Sequence, residues 1–67
     1  MKGSLFKFII EPSKIAFLKF ILEGYDHLAI LTILDPHKGF CTISFYPKEK
    51  ELVQEILQDF RVEFLEN

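Results

Sequence analysis

Residues 28–46 read LAILTILDPHKGFCTISFY, and this stretch decides the fold. Two runs of strand length, rich in β-branched and aromatic residues, flank the turn-forming residues 35–39, which predicts a β-hairpin. In the second run, Cys41, Ile43 and Phe45 alternate with polar residues, so their side chains should share the buried face of a sheet.

The turn contains residues suited to its geometry. Asp35 can accept hydrogen bonds from the backbone ahead of it, Pro36 fits the second position of a type I turn, and Gly39 can take a positive φ. In the run before the turn, Thr32 is the only polar side chain, and we expect it to point to solvent. This places Ala29, Leu31 and Ile33 on the inner face and Leu28, Ile30 and Leu34 on the outer face.

The segment before the hairpin predicts a strand and a helix. Residues 5–10 alternate as a strand, with the even-numbered side chains directed at the core. Pro12 ends this strand, because proline cannot donate a hydrogen bond to the sheet. A helix should follow from Pro12 or Ser13 to Glu23, with Gly24 as its left-handed C-terminal cap.

The segment after the hairpin predicts a second helix, followed by a last strand. Pro47 should open a helix over residues 48–60, and residues 62–65 form a short last strand. The element order is then β-α-β-β-α-β, with right-handed crossovers. We therefore predict one α+β ferredoxin-like domain over residues 1–67, a four-stranded antiparallel sheet with two helices on one face. The first and third strands should lie in the centre, with the second on an edge.

The two helices separate apolar from polar residues differently. The second has a clear apolar face of Leu52, Val53, Ile56, Leu57 and Phe60. The first has a broad apolar face of Ile15, Phe17, Leu18, Ile21, Leu22 and Tyr25, with Lys19 and Glu23 on the solvent side. Phe20 falls near that solvent side, either as a partly exposed residue at the edge of the apolar face or as a contact for a partner.

This architecture leaves one face of the sheet without a helix. The residues expected there are Leu5, Lys7, Ile9, Leu28, Ile30, Thr32, Leu34, Phe40, Thr42, Ser44 and Tyr46. Large exposed apolar patches mark interaction sites, and a homodimer would cover this one in a self-complementary way. The sequence therefore predicts a binding or oligomerisation module whose partner is itself or another protein. Its candidate interface residues are Phe20, Ile30, Leu34, Phe40 and Tyr46.

Composition argues against several classes of partner. The net charge is −2, from 8 basic and 10 acidic residues, so nucleic acid and anionic membranes exert no general attraction. No apolar run approaches the roughly 18 residues of a membrane span, and no export signal is recognisable. Together with the single cysteine, these features predict a cytoplasmic protein.

Side chains suited to catalysis or metal binding are scarce. Cys41 should be a small buried thiol. His27 and His37 flank a strand of about 23 Å at ~3.3 Å per residue, which is too far for both to bind one metal ion. A glycine-rich phosphate loop and a Cys-x-x-Cys pair are absent from the sequence. We therefore expect no enzymatic activity, no cofactor and no bound metal.

Two resemblances keep other functions open. Residues 38–45, KGFCTISF, are similar to the RNP1 octamer of RNA-recognition motifs, with matches at Lys38, Gly39, Phe40 and Phe45, which implies RNA binding on the sheet. The acidic net charge weighs against that function. The loop Glu11-Pro12-Ser13 is similar to the loop after the first strand of regulatory ACT domains, which implies a domain that senses a small molecule.

Residues 11–25, EPSKIAFLKFILEGY, together with Leu34-Asp35-Pro36, resemble an uncharacterised family of short bacterial proteins, a domain-of-unknown-function family. The resemblance implies a bacterial domain with the βαββαβ pattern. It carries over no functional residues.

Overall fold

The computed structural model describes residues 4–25 and 28–65. The strands are β1 (Ser4–Ile9), β2 (Ala29–Asp35), β3 (Phe40–Phe45) and β4 (Glu63–Leu65), and the helices are α1 (Ile15–Glu23) and α2 (Lys50–Asp59). Short 3₁₀ turns at Pro12–Lys14 and Pro47–Glu49 lead into the helices, so α1 and α2 begin two to three residues later than the sequence predicts. The strands form one antiparallel sheet in the order β2-β3-β1-β4, which confirms the ferredoxin-like arrangement and places β2 on an edge.

One face of the sheet and both helices enclose a single hydrophobic core. The sheet contributes Phe8, Cys41, Ile43 and Phe45, α1 contributes Ile15, Leu18 and Leu22, α2 contributes Val53, Ile56 and Leu57, and Ile10 and Leu28 lie at the strand ends. The inward placement of the β3 residues and the apolar face of α2 are therefore confirmed. Because both helices pack into the same core, no helix of the described residues lies over the opposite sheet face.

The helix α1 buries a narrower face than the sequence predicts. Phe17 is 58% exposed and Tyr25 is 45% exposed, so these two residues of the predicted apolar face lie largely in solvent. The buried residues Ile15, Leu18 and Leu22 recur every three or four positions and form one stripe along the helix. Phe17 instead packs edge-on against Phe60, with 5.7 Å between the ring centroids.

The C-terminal end of α1 also differs from the prediction. Gly24 has φ −73° and ψ −13°, which is right-handed, so the expected left-handed cap is wrong. The amides of Gly24 and Tyr25 donate to the carbonyls of Ile21 and Leu22, each at 3.1 Å, and continue the right-handed turn. Since these bonds satisfy the last carbonyls of the helix, no left-handed residue is needed there.

A left-handed residue occurs after α2 instead. Arg61 has φ 57°, at the position after a helix where glycine is usual. Its amide donates to the Gln58 carbonyl at 2.9 Å, and the Val62 amide donates to the Leu57 carbonyl at 3.5 Å. This pair of bonds is the Schellman pattern, which turns the chain from α2 into β4.

The turn between β2 and β3 has the predicted chemistry. The Asp35 Oδ1 atom accepts hydrogen bonds from the amides of His37 at 3.0 Å and Lys38 at 3.2 Å. Gly39 has the expected positive φ of 76°. The Gly39 amide donates to the Asp35 carbonyl at 2.8 Å, and the Gly39 carbonyl accepts from the Ile10 amide at 2.9 Å. The turn therefore also holds the end of β1.

The strand β2 departs from simple alternation at both ends. The pairing shifts between Ile33 and Asp35, which makes Leu34 the extra residue of a β-bulge. Leu28 lies before the strand and is only 6% exposed, so its predicted outward placement is wrong. The Leu28 amide donates to the Tyr25 carbonyl at 2.9 Å, and this turn brings Leu28 back to the core.

Candidate interaction surfaces

The open face, defined as the sheet face without helices, consists of three rows of side chains across the strands. Residues paired across antiparallel strands lie on the same side of a sheet. The first row is Ile30, Ser44 and Leu5, the second is Thr32, Thr42, Lys7 and Leu65, and the third is Asp35, Phe40, Ile9 and Glu63. Two rows with large apolar side chains therefore flank a mainly polar middle row.

The apolar side chains are most exposed at the end of the open face where the first row lies. Ile30 is 70% exposed and Leu5 is 44% exposed. Tyr46 is 55% exposed and extends this end, because it lies two residues beyond Ser44. Leu34, in the bulge at the β2 edge, is 51% exposed.

Of the candidate interface residues, the structure places Ile30 and Phe40 on the open face. Phe40 is half-buried. Tyr46 lies at the end of the open face beyond the first row. Leu34 lies at the β2 edge of the face. Phe20 does not join them, since it lies on α1 in the helix layer, where it is 69% exposed.

The helix layer has an aromatic surface of its own. Phe17, Phe20 and Tyr25 are all exposed on α1. Phe17 and Tyr25 also line a shallow groove of about 460 Å³ between α1 and α2, together with Phe60. The sequence did not predict this surface, because it placed Phe17 and Tyr25 on the same apolar face of the helix as the buried residues.

Another shallow groove runs along the β2 edge. It has a volume of about 630 Å³ and is lined by Lys19, Leu22 and Glu23 of α1, by Ala29, Ile30 and Leu31 of β2, and by Tyr46. Lys19 and Glu23 are four residues apart, so their side chains lie on the same side of the helix. The groove therefore combines apolar walls with one positive and one negative side chain. The sequence predicts that Lys19 and Glu23 are exposed. Their position beside the sheet edge depends on how α1 packs on the sheet, which the sequence pattern does not show.

Comparison with protein families gives a match that covers most of the chain. The sequence profile described as Domain of unknown function (DUF4911) matches residues 8–63, from β1 to the first residue of β4. The chain belongs to the DUF4911 family. The matched region of this DUF4911 chain contains Ile30, Leu34, Phe40 and Tyr46 and leaves Leu5 outside. Searches of curated proteins and of solved structures give no match.

Groups with catalytic or metal-binding chemistry are dispersed in the described part of the DUF4911 chain. Among residues 4–25 and 28–65, no cluster of three or more His, Cys, Asp and Glu residues could hold a metal ion. His37 is exposed in the hairpin turn, and His27 lies outside the described residues. In the loop after β1, the Ser13 hydroxyl donates to the Glu11 carboxylate at 2.7 Å. Neither α1 nor α2 has the length and apolar character to cross a membrane.

The Cys41 thiol of the DUF4911 chain is inaccessible. Its residue is 0% exposed and lies on the core side of β3, paired with Phe8 and Ile33 on the neighbouring strands. Burial raises the pKa of the Cys41 thiol, because apolar surroundings disfavour the thiolate. Since the thiolate is the reactive form, Cys41 is suited to packing rather than to nucleophilic chemistry.

We expect the native Cys41 thiol to react slowly with a disulfide reagent and the denatured thiol to react rapidly. An unfolded cysteine loses its proton near pH ~8.5, before the native thiol does, so the free energy of unfolding should fall as the pH rises above that value. The Cys41→Ala variant should lack this part of the alkaline decrease, measured by urea denaturation across the alkaline range. Equally fast labelling of the folded and denatured protein would contradict the expectation.

Proposed function

We propose that this protein is a non-enzymatic binding and oligomerisation module of the bacterial cytoplasm, and that its open face joins two copies. The observation that supports the proposal is the exposure of Leu5, Ile30 and Tyr46 on a sheet face that neither α1 nor α2 covers. Removing apolar surface from water contributes about 25 cal/mol per Å² to association. A second copy has the same apolar residues, so two open faces that pack together bury the apolar side chains of both chains.

The broad side of the molecule that carries the open face suits an interface of ordinary dimensions. The Cα atoms extend over 32 × 28 × 18 Å, as expected for a slab of one sheet and one helix layer. A stable interface takes about 800 Å² of accessible surface from each partner. A broad side of 32 × 28 Å can supply an area of this order.

The polar middle row affects how two open faces can meet. Lys7 is the charged residue of this row and lies on the central strand β1, where it is half-buried. A lysine can lay its methylene groups over apolar neighbours while its ammonium group stays in water. Thr32 and Thr42 are paired in the same row and keep hydroxyl groups for hydrogen bonding. In the proposed dimer the first and third rows therefore make the apolar contacts.

The two functions implied by the other resemblances receive less support. In the RNP1-like stretch, Gly39 is buried and holds the end of β1, Phe40 is half-buried, and a threonine, Thr42, occupies the position of a second stacking aromatic residue. In the ACT-like loop, the Ser13 hydroxyl is already bonded to Glu11. These contacts stabilise the fold without presenting groups to a ligand, so we place self-association first.

The substitutions Leu5→Glu and Ile30→Glu should dissociate the proposed dimer. Both side chains are exposed in the single chain, at 44% and 70%, so a charge there is solvated in the monomer and desolvated in the dimer. We expect each variant to raise the dissociation constant by at least about a hundredfold, or ~2.7 kcal/mol. Sedimentation equilibrium measures this constant, and circular dichroism verifies that the variants are folded.

Phe20→Glu is the matched control, because Phe20 is 69% exposed but lies in the helix layer. It should leave the dissociation constant within about threefold of the original, consistent with the usual effect of surface substitutions. The open face is not the interface if Leu5→Glu and Ile30→Glu leave the mass of the original protein unchanged, or if Phe20→Glu alone lowers that mass.

A further inference from the structure

The β2 edge has few of the features that usually prevent strand pairing. Exposed edges in soluble proteins are commonly protected by lysine, proline, an inward charge or a bulge. Residues 29–34 read AILTIL and contain neither a charge nor a proline. The bulge is confined to the end of the strand, at Leu34, and the pairing from Ala29 to Ile33 is regular. The regular part of β2 is therefore available as a template for another strand.

The groove beside this edge supplies the second observation. Lys19 and Glu23 of α1 line it together with Ala29, Ile30 and Leu31 of β2. The two charged side chains are exposed, opposite in sign and one helical turn apart. A partner that pairs with β2 is favoured if it brings opposite charges to these two side chains.

We propose that β2 pairs antiparallel with β2 of a second copy of this chain, so that the two sheets become one continuous sheet of eight strands. A two-fold axis perpendicular to the sheet reverses the strand direction and keeps both helix layers on the same side. The two α1 helices then flank the junction in opposite directions. With the two-fold axis at the level midway between Lys19 and Glu23, Lys19 of each chain faces Glu23 of the other, so the opposite charges meet across the junction.

This interface is separate from the open-face dimer proposed above and goes beyond it. The edge contact uses the backbone of β2 and the charged side of α1, whereas the open-face contact uses side chains on the opposite side of the sheet from α1. A chain that uses both contacts assembles beyond the dimer. A peptide strand from another protein lacks the charge match that a second copy provides by symmetry, unless it carries opposite charges of its own at these positions.

The test is a charge swap in the Leu5→Glu background, which removes association through the open face. Lys19→Glu and Glu23→Lys should each weaken the remaining association about tenfold at low salt, because two symmetric attractions become repulsions. The double variant Lys19→Glu/Glu23→Lys restores opposite charges across the junction. Its dissociation constant, measured by sedimentation equilibrium, should return to within about threefold of the background value.

The edge proposal is overturned if the Leu5→Glu background is monomeric at all concentrations, if neither single variant changes its association, or if the double variant stays as weak as the single variants. The last two outcomes would leave the β2 edge free for a different protein. None of these results depends on the open-face proposal, which fails separately if Leu5→Glu does not change the mass of the original protein. Both charged residues are exposed, so thermal melting should show that all variants fold.

Discussion

Replacing Gly39 with alanine should destabilise the fold by at least about 3 kcal/mol and lower the melting temperature by more than about 12 °C. An alanine Cβ at this position would lie 1.7 Å from the Ile10 carbonyl oxygen, which is far inside van der Waals contact. The φ of 76° adds a cost of roughly 1–2 kcal/mol for a residue with a side chain. Relieving the contact would also separate the Gly39 carbonyl from the Ile10 amide, now 2.9 Å apart.

Gly24→Ala is the control for the Gly39 prediction. Gly24 has an ordinary right-handed φ of −73°, and the nearest atom to a new Cβ would be the Ile21 carbonyl oxygen at 3.3 Å. We expect this variant to stay within about 1 kcal/mol of the original protein, because alanine also restricts the unfolded chain. Both variants should be melted at the same protein concentration, since self-association changes apparent stability. Equal effects of the two substitutions would contradict the account of the turn.

Phe8→Ala should cost about 3–5 kcal/mol of folding free energy, the usual effect of removing a fully buried aromatic side chain. Phe8 is 0% exposed and lies on the central strand β1, where it pairs with Cys41 on one side and Phe64 on the other. The cavity would open in the middle of the core, where the sheet meets the helices. A loss of this size is a large fraction of the roughly 5–15 kcal/mol that stabilises a small domain.

Phe17→Ala makes the same chemical change on the surface and serves as the comparison. Phe17 is 58% exposed, and its contact with Phe60 is an edge-on ring pair at 5.7 Å. Such a pair contributes about 0.5–1.5 kcal/mol, so the loss should be near 1 kcal/mol. Urea denaturation followed by circular dichroism measures both variants. The account of α1 is wrong if Phe17→Ala costs as much as Phe8→Ala.

The element order and the hairpin follow from the sequence because both depend on local patterns. The alternation of Cys41, Ile43 and Phe45, the hydrogen bonding of Asp35 and the positive φ of Gly39 are set within a few residues of each other, and all three were predicted correctly. The order of the elements then restricts the sheet to a small number of topologies. The uncovered sheet face follows from that topology.

The errors lie where distant parts of the chain decide the outcome. Helical periodicity indicates which residues share a face of α1, but not that the sheet and α2 cover only a narrow part of it, which leaves Phe17 and Tyr25 in solvent. A glycine after a helix permits a left-handed cap without requiring one, and Gly24 after α1 is right-handed. The left-handed residue is Arg61, which follows α2. The charged groove beside β2 likewise depends on the packing of α1 against the sheet edge.

The molar mass of the unmodified protein in solution tests the central claim most directly. Light scattering after gel filtration, over about a hundredfold range of concentration, gives this mass without a label or a ligand. If the open face joins two copies, the mass will be at least twice the 7.9 kDa of one chain and will fall towards 7.9 kDa only on strong dilution. A mass of 7.9 kDa at every concentration would contradict self-association through the open face.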